Sequence, residues 1–251
     1  MSTPLRRLLP DPAELPLEAL YAGLTLDDPA PGRDVHVALC MVSSTDGAVA
    51  VDGLSGGLGG PADLRALSQL RAANDVSLVG AGTVRDEGYG PLTGSAERRA
   101  DRASKGLRPV PRLAIVTASG RLDPDLRVFS EPDEPPLVLT SQHADPEALR
   151  AIENLAEIHR LPGGQLTVAA ITSTLAGLGL RRVLLEGGPR LNQQVLAAGA
   201  LDEVFVTIAP TLVGGDVRRI IAGDDEAATP LELISAFEHG GDLLLRYRIR
   251  R

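Results

Sequence analysis

Short apolar runs alternate with amphipathic stretches through the middle of this chain, and this alternation restricts the possible folds more than any other feature. The runs at 76–79 and 182–185 are mostly apolar, as in strands that are buried on both faces. Between such runs lie segments with apolar residues three or four apart, which is the spacing of a helix. Strands that alternate with helices favour an α/β fold with a mostly parallel central sheet and helices on both faces.

The same periodicities predict the individual elements. Apolar residues alternate at 35–41, so a strand is expected there before the turn "SSTDG". Leu64, Leu67 and Leu70 share one predicted helical face, and Pro61 suits the first helical position. The remaining predicted helices are 145–154, 167–178 and 189–198, and the remaining strands are 112–117, 137–140, 157–161 and 203–208. After the turn "HGGD", the alternating "LLLRYRIR" predicts an antiparallel C-terminal edge.

One domain is expected, because 251 residues with 43% hydrophobic composition can bury a full core and no internal linker interrupts the pattern. Residues 1–34 contain six prolines and no clear period. We therefore predict an N-terminal extension at 1–34 that packs on a domain at 35–251, with regular structure beginning near Val35.

Composition narrows the functional class. A net charge of -8, few aromatic residues and no tryptophan argue against a nucleic-acid partner. Cys40 is the single cysteine, which excludes an intrachain disulfide, and the four histidines show no metal-ligand spacing. No apolar run approaches the length of a membrane span, and the N-terminus lacks a signal-peptide pattern. These features predict a cytoplasmic, metal-free protein that acts on a small molecule.

The segment "LLEGGPRL" at 184–191 is the most informative motif. It joins the end of a predicted strand to a predicted helix, and ligands of open α/β sheets lie at such carboxyl ends. Gly187 and Gly188 would let the backbone approach a phosphate at the start of that helix, although a tight strand-to-helix turn fits the pattern as well. The carboxylate of Glu186 needs either partners, such as a neighbouring loop, or a role in chemistry.

Three other motifs are weaker. "GAGTVRDEG" at 80–88 has Arg85 at the third glycine position of a dinucleotide fingerprint and lacks the acidic ribose-binding residue. "GGLGG" at 56–60 lacks the lysine and hydroxyl residue of a phosphate loop. Asp46 fits a simple turn residue before Gly47.

Four segments taken together resemble the reductase domain of riboflavin biosynthesis, the pyrimidine reductase family, which has a dihydrofolate reductase-like fold. These are "VALCMVSSTDGAVA", "LSQLRAANDVSLVGAGTVRDEGYGPL", "RLAIVTASGRL" and "RRVLLEGGPRLNQQVLAAGALDEVFVTIAPTLVGG". The resemblance covers about 35–251, nearly the whole chain. It implies NADPH as hydride donor, bound along the carboxyl edge of the sheet, and a homodimer.

The resemblance also implies site residues by position. Substrate contacts are expected at Ser55, Arg71, Glu87 and Glu186, with Glu87 and Glu186 as catalytic candidates. Cofactor contacts are expected at Val42, Ser43, Gly57, Gly80, Ala81, Gly82, Thr83, Thr117, Ala118, Ser119, Gly187, Gly188, Pro189, Arg190, Leu191 and Asn192. Candidates for the 2′-phosphate of the cofactor are Ser119, Arg121 and Arg85.

The implied reaction is the NADPH-dependent reduction of the ribosyl side chain of 5-amino-6-(5-phosphoribosylamino)uracil, or a close analogue, to a ribityl chain. Two alternatives stay open, namely dihydrofolate reductase-type reduction of a pteridine and a non-catalytic NADPH-binding role. Retained Glu87 and Glu186 favour catalysis over the latter. The zinc deaminase half of bifunctional relatives needs two cysteines, so a reductase without that half is expected.

Two departures from the family pattern affect the substrate side. Family members usually carry a lysine six residues before the turn aspartate, where this chain has Cys40. The family pattern "DDPxLTxR" appears as "DEGYGPLTGS", so Glu87 replaces an aspartate and the arginine after Leu92 and Thr93 is missing. Arg98 or Arg99 is the expected substitute for that arginine.

Overall fold

A computed structural model describes residues 3–163, 166–223, 226 and 228–251, and an eleven-stranded mixed sheet forms its centre. The strand order across the sheet is β2-β1-β10-β11-β9-β3-β8-β4-β5-β6-β7. The strands are β1 (Leu5–Leu9), β2 (Ala13–Leu15), β3 (His36–Ser44), β4 (Val76–Gly80), β5 (Arg112–Thr117), β6 (Leu137–Ser141), β7 (Glu157–Leu161), β8 (Arg182–Leu185), β9 (Glu203–Ala209), β10 (Leu231–His239) and β11 (Asp242–Ile249).

The sheet is parallel from β9 to β7 and antiparallel on the other side of β9. Every neighbouring pair from β9 through β3, β8, β4, β5 and β6 to β7 runs parallel. The pairs β9–β11, β11–β10, β10–β1 and β1–β2 run antiparallel. The predicted fold class is confirmed, including the antiparallel C-terminal strands.

Six α-helices connect and cover these strands. They are α1 (Pro61–Ala73), α2 (Ala81–Asp86), α3 (Ala96–Ser104), α4 (Pro146–Ile152), α5 (Val168–Gly177) and α6 (Pro189–Ala197). Proline occupies the first position of three of them, where its missing amide costs nothing. The helices predicted at 61–73, 145–154, 167–178 and 189–198 are confirmed within a few residues at their ends. Helices α2 and α3 were not predicted, because polar and glycine-rich residues obscure their period.

Alternate residues of the central strands separate two core layers. Leu185 belongs to the layer covered by α5 and α6, and its neighbour Leu184 belongs to the layer covered by α1. The leucines of α1 are not all buried, because Leu70 is fully buried whereas Leu64 is 65% exposed. The buried face of α1 consists mainly of small residues, which let the helix lie close to the sheet, namely Ala62, Ala66 and Ala73 together with Leu70.

The N-terminal segment contributes to the sheet. Strand β1 pairs with β10 and with β2, so regular structure begins well before Val35, contrary to the sequence-based expectation. Leu5, Leu20 and Tyr21 pack in the same core layer as α1. The division of the chain into 1–34 and 35–251 stays a prediction. Within the described ranges, no helix combines the length and apolar character needed to cross a membrane.

Candidate functional site

A cavity of about 290 Å³ lies at the carboxyl ends of β3 and β8, between α1 and the start of α2. Its wall contains many of the residues expected from the sequence, and also several that were not expected. The lining includes Cys40, Met41, Val42, Ser55, Asp63, Leu67, Arg71, Thr83, Asp86, Glu87, Tyr89, Glu186, Gly187, Gly188, Pro189 and Arg218. The fold therefore brings the predicted substrate side and part of the predicted cofactor side into one space.

Glu186 follows β8 directly and is buried in a three-residue network. Arg71 of α1 donates from Nε to Oε1 at 2.9 Å and from Nη2 to Oε2 at 2.6 Å. The Tyr89 hydroxyl donates to Oε2 of the same carboxylate, and Arg71 Nη2 lies 3.1 Å from that hydroxyl. The Glu186 side chain is only 2% exposed. A bidentate arginine is the partner that a buried carboxylate requires.

The charges in this network control its titration. Burial alone would raise the pKa of Glu186, but the charge and hydrogen bonds of Arg71 outweigh it, so the pKa is lowered. Burial would lower the pKa of Arg71, and the Glu186 carboxylate raises it instead. Burial and the Glu186 charge raise the pKa of Tyr89 well above its ordinary range. At neutral pH the network is therefore an ion pair with a neutral phenol attached.

Ser55 and Glu87 form a second contact on the cavity wall. Glu87 follows α2, and its two carboxylate oxygens accept hydrogen bonds from the Ser55 amide at 2.9 Å and from the Ser55 hydroxyl at 3.0 Å. This contact ties the loop after β3 to the end of α2. Both residues were expected on the substrate side, and the structure places them together.

The glycines after β8 form the opposite wall. Gly187 has φ +96°, and a Cβ there would lie 3.2 Å from Met41 Sδ. A Cβ on Gly188 would lie 3.0 Å from Thr83 Oγ1. The Gly80 amide donates to the Gly187 carbonyl at 2.9 Å, so the loops after β4 and β8 touch. The starts of α2 and α6 therefore meet at one edge of the sheet, formed by Gly80, Gly187 and Gly188, which we call the glycine edge.

This edge fits a dinucleotide. Backbone amides at the start of α6 favour a pyrophosphate, because they are hydrogen-bond donors at the positive end of the helix dipole. The absent Cβ atoms of Gly187 and Gly188 let Met41 and Thr83 pack against this backbone. Of the residues expected to contact the cofactor, Val42, Thr83, Gly187, Gly188 and Pro189 line the cavity. Gly80, Ala81 and Gly82 adjoin them at the start of α2.

The other expected cofactor residues lie outside the cavity wall. Thr117 is buried at the end of β5, with Ala118 and Ser119 exposed beyond it. Ser43 and Leu191 are buried, Arg190 is exposed, and Gly57 packs against Val51. Asn192 is 1% exposed, and its Nδ2 donates to the Ile220 carbonyl at 2.8 Å. Contacts from this group to a cofactor stay a prediction.

The arginines expected near phosphate groups lie at two places. Arg98 lines a second cavity of about 210 Å³, which Arg71 and Arg102 also line. Arg99 is directed elsewhere, because its Nη2 lies 2.7 Å from Asp133 Oδ2. Arg85 Nη1 lies 3.5 Å from the Arg121 carbonyl, beside the exposed end of β5.

Sequence reasoning missed four charged or hydroxyl-bearing residues of the wall, namely Asp63, Asp86, Tyr89 and Arg218. Tyr89 sits in "EGYG", two residues after Glu87, and that position was interpreted only as a departure from the family pattern. Asp63 was interpreted only as an acidic residue in the first helical turn. Asp86 and Arg218 pair with each other at 3.6 Å. A spacing of four residues from Asp63 to Leu67 and on to Arg71 was the available signal, since it places all three on one helical face.

The turn residue Asp46 has a structural role. Its carboxylate accepts hydrogen bonds from the amides of Val213 and Gly214 and from the Ser44 hydroxyl. The Ser44 and backbone hydrogen bonds lower the pKa of Asp46 to about 2. The interpretation of Asp46 as a turn residue is thereby confirmed, and its contacts link the turn to the loop after β9.

Comparison with known proteins places these features in a family context. Residues 35–245 match the family model described as the RibD C-terminal domain. The chain is 32% identical over 221 residues to the 2,5-diamino-6-ribosylamino-4(3H)-pyrimidinone 5′-phosphate reductase of Methanothermobacter thermautotrophicus, which covers 86% of this chain and 98% of that protein. It is 30% identical over 186 residues to the riboflavin biosynthesis protein RibD of Mycobacterium tuberculosis, covering 74% of this chain and 45% of that protein.

Solved structures agree with this family match. The crystal structure of a pyrimidine reductase-like protein from Corynebacterium diphtheriae superimposes with a TM-score of 0.82 at 27% identity, covering 94% of this chain and 98% of that chain. RibD of Acinetobacter baumannii superimposes with a TM-score of 0.69 at 22% identity, covering 88% of this chain and 59% of that chain. At that level of identity the second likeness concerns the fold alone.

Proposed function

Because the chain belongs to the RibD C-terminal domain family, we propose that it is an NADPH-dependent reductase of a phosphoribosylaminopyrimidine. The substrate is 5-amino-6-(5-phosphoribosylamino)uracil or a close analogue, and its ribosyl side chain becomes a ribityl chain. The observation that supports this proposal most directly is the single cavity that joins the glycine edge to the Arg71–Glu186 pair.

The cofactor is proposed to lie along the glycine edge. The amides of Gly187 and Gly188 and the starts of α2 and α6 would hold the pyrophosphate, because backbone donors and the helix dipole favour negative charge. Arg85, Ser119 and Arg121, beside the end of β5, would receive the 2′-phosphate. When bound, NADPH supplies the hydride, and the nicotinamide must then sit in the cavity beside Val42.

The substrate is proposed to lie against Ser55, Arg71, Glu87 and Glu186. Glu186 is held as an anion by Arg71, so its contacts favour a positioning role over proton donation. Within the described residues, Nη1 of Arg71 makes no hydrogen bond, so it remains available to a substrate oxygen. Arg98 in the adjoining cavity is proposed to substitute for the missing phosphate-binding arginine.

A second candidate substrate has the same reacting side chain on a different ring. The relative in Methanothermobacter thermautotrophicus is named for a 2,5-diaminopyrimidinone, and the match spans 98% of that protein. The two rings differ at position 2, which carries an oxygen in the uracil and an amino group in the diaminopyrimidinone. The choice between them is therefore a question of which ring the cavity binds, not of the chemistry at C1′.

The test is to mix the purified chain with NADPH and each pyrimidine in turn, and to follow the absorbance of the reduced nicotinamide. Product mass should rise by two hydrogen atoms, on the side chain. Dihydrofolate serves as the third substrate. Oxidation with dihydrofolate alone would support the pteridine alternative, and tight NADPH binding without oxidation of any substrate would support the non-catalytic alternative.

A further inference from the structure

The proposed reaction consumes a proton as well as a hydride, and the source of that proton is a separate question. In the open-chain substrate C1′ is double-bonded to nitrogen. When C1′ receives the hydride, the π electrons of that bond pass to the nitrogen, which must take up a proton to give the neutral amine. The cofactor is oxidised and C1′ is reduced, so one acid in the cavity has to supply one proton in each turnover.

Three of the four carboxylates in the cavity wall contact other residues of that wall. Glu186 is paired with Arg71 and accepts a hydrogen bond from Tyr89. Glu87 accepts two hydrogen bonds from Ser55. Asp86 lies 3.6 Å from the Arg218 guanidinium. The charge and hydrogen bonds of Arg71 lower the pKa of Glu186, which makes that carboxylate a poor proton donor.

Asp63 differs from these three. It lines the same cavity from the first turn of α1, and its hydrogen-bond donor is Thr207, which lies outside the cavity wall. Like Glu87, Asp63 belongs to none of the ion pairs among the described residues. Burial raises its pKa, against a smaller lowering by a hydrogen bond from Thr207. Its surroundings thus favour the protonated form, which a proton donor needs.

The backbone before α1 brings Asp63 close to a second carboxyl group. A Cβ on Gly59 would overlap Asp63 Oδ2, and a Cβ on Gly60 would lie 2.6 Å from Asp242 Oδ2. Burial and the charge of Asp63 raise the pKa of Asp242. Two neighbouring carboxyl groups disfavour loss of both protons, so the pair retains one proton to a higher pH than either group alone.

Other polar groups also surround Asp63. The groups that face it from the packed elements are Thr207 of β9, Cys40 of β3 and Asp242 of β11. His239 and Glu238 of β10 lie beyond Asp242.

We propose that Asp63 is the general acid of the reduction and delivers its proton to the substrate nitrogen as C1′ is reduced. The inference rests on the proposed function for its substrate. It replaces the sequence-based expectation that Glu87 and Glu186 do the acid-base chemistry. Bulk solvent restores the proton to Asp63 after the product leaves.

The first test compares Asp63→Asn with the wild-type enzyme under saturating NADPH and pyrimidine. The amide is similar in size but holds no transferable proton, so kcat should fall by about 10² to 10⁴-fold. The NADPH dissociation constant should stay within about twofold, since the acid does not stabilise the bound cofactor. Asp101→Asn is the matched control, because Asp101 is an exposed residue of α3 outside the cavity wall, and its kcat should stay within about threefold of wild type.

The second test uses pH. Wild-type kcat/KM should fall as pH rises through the pKa of Asp63, and this fall should be absent in Asp63→Asn. The ¹³Cγ resonance of Asp63 in the wild-type protein, assigned through its backbone, should titrate above the ordinary aspartate range. This second measurement requires no turnover and no variant.

The outcomes separate the two proposals. A wild type that reduces the pyrimidine while Asp63→Asn retains its kcat and its pH profile overturns the assignment of Asp63 but leaves the proposed function intact. A pH limb that disappears in Tyr89→Phe instead also overturns it, in favour of the phenol. If the wild type reduces none of the substrates, both proposals fail, whatever the carboxyl titration shows.

Discussion

At the scale of single residues, the requirement to pair a buried charge explains most of the site. Glu186 follows directly after a strand whose last three residues are fully buried. An unpaired carboxylate at such a place would cost several kcal/mol. Arg71 provides two hydrogen bonds and a charge, and Tyr89 provides a third donor. Arg71, Tyr89 and Glu186 therefore form a rigid polar part of the cavity wall, although they come from three separate segments of the chain.

We predict that Glu186→Gln destabilises the folded chain by on the order of 2 kcal/mol at pH 7, because Arg71 loses its counter-charge while most packing is kept. Catalytic efficiency should fall more than NADPH affinity, since the residue lies on the substrate side. Urea unfolding and NADPH titration measure the two effects. The control is Asp133→Asn in the exposed Arg99–Asp133 pair, which should change the free energy of unfolding by less than about 0.5 kcal/mol.

The same pair predicts a pH dependence of stability. The pKa of Glu186 is lowered on folding from an ordinary value of 4.5, so its stabilising contribution is complete above pH 4.5 and is lost as pH falls through the folded-state pKa. The difference in unfolding free energy between wild type and Glu186→Gln should therefore shrink below pH 4.5. A difference that stays constant from neutral pH to pH 3 would contradict the pairing described for Glu186.

We predict that Gly188→Asp weakens NADPH binding at least tenfold, because a carboxylate would face the pyrophosphate and its Cβ would contact Thr83. Isothermal titration of NADPH measures the change. Gly177→Asp is the control, since nothing lies within 4 Å of a Cβ there and the position is at the far end of α5. Equal affinities for the folded Gly188→Asp and Gly177→Asp variants would remove the glycine edge from the cofactor site.

At the scale of elements, α1 carries the side of the cavity that we propose for the substrate. Asp63, Leu67 and Arg71 lie at successive turns on one face, about 12 Å from first to last. The small residues of the adjacent face let α1 lie close to β3 and β8. Arg102 of α3 then fixes the end of α1, because its Nη1 donates to the carbonyls of Arg71, Ala72 and Asn74.

We predict that Arg102→Gln destabilises the protein by about 2 to 4 kcal/mol, since several buried carbonyls lose a charged donor. The substrate KM should rise, and NADPH affinity should change less. The reason is that the substitution frees only the end of α1 that carries Arg71. Thermal unfolding and steady-state kinetics measure both. Lys105→Ala, which removes an exposed pair with Asp101, is the control and should shift stability by less than about 0.5 kcal/mol.

At the scale of the whole molecule, a broad apolar groove adjoins the candidate site at Arg218. It is lined by side chains of α6, β9 and β11, by the start of β10 and by the segment before β10, among them Leu196, Val204, Val206, Leu231 and Ile249. Exposed apolar side chains that lie together are a common feature of contacts between protein chains. The homodimer expected from the family resemblance remains a prediction, and this groove is the face we propose for it.

Light scattering should therefore give a molar mass near twice the 26.3 kDa of one chain at micromolar concentration. Leu231→Glu, which places a charge on a side chain that is 40% exposed in the single chain, should shift the mass towards one copy. Leu8→Glu is the control, because Leu8 is similarly exposed but lies on β1 outside the groove. A monomeric wild type would exclude the dimer.

The sequence by itself determined most elements of the central sheet and their order, but not β1, β2 and β10. Apolar periodicity specified the strands from β3 to β9 and the helices α1, α4, α5 and α6, because a buried face leaves a local signal of period two or 3.6. The strand-glycine-helix pattern at 184–191 located the edge of the sheet where a ligand would lie. Short polar helices such as α3 were missed because a helix with few apolar residues has no such period.

Only the tertiary structure decided which residues meet Glu186 and which meet Asp63. Arg71 and Tyr89 are 115 and 97 residues away from Glu186 along the chain, and Asp63 faces Thr207 and Asp242 from other strands. Local periodicity indicates which face of an element is buried, but the partners of a polar group depend on how distant elements pack. The raised pKa of Asp63 and the lowered pKa of Glu186 follow from that packing, so the neighbours of either residue in sequence do not predict them.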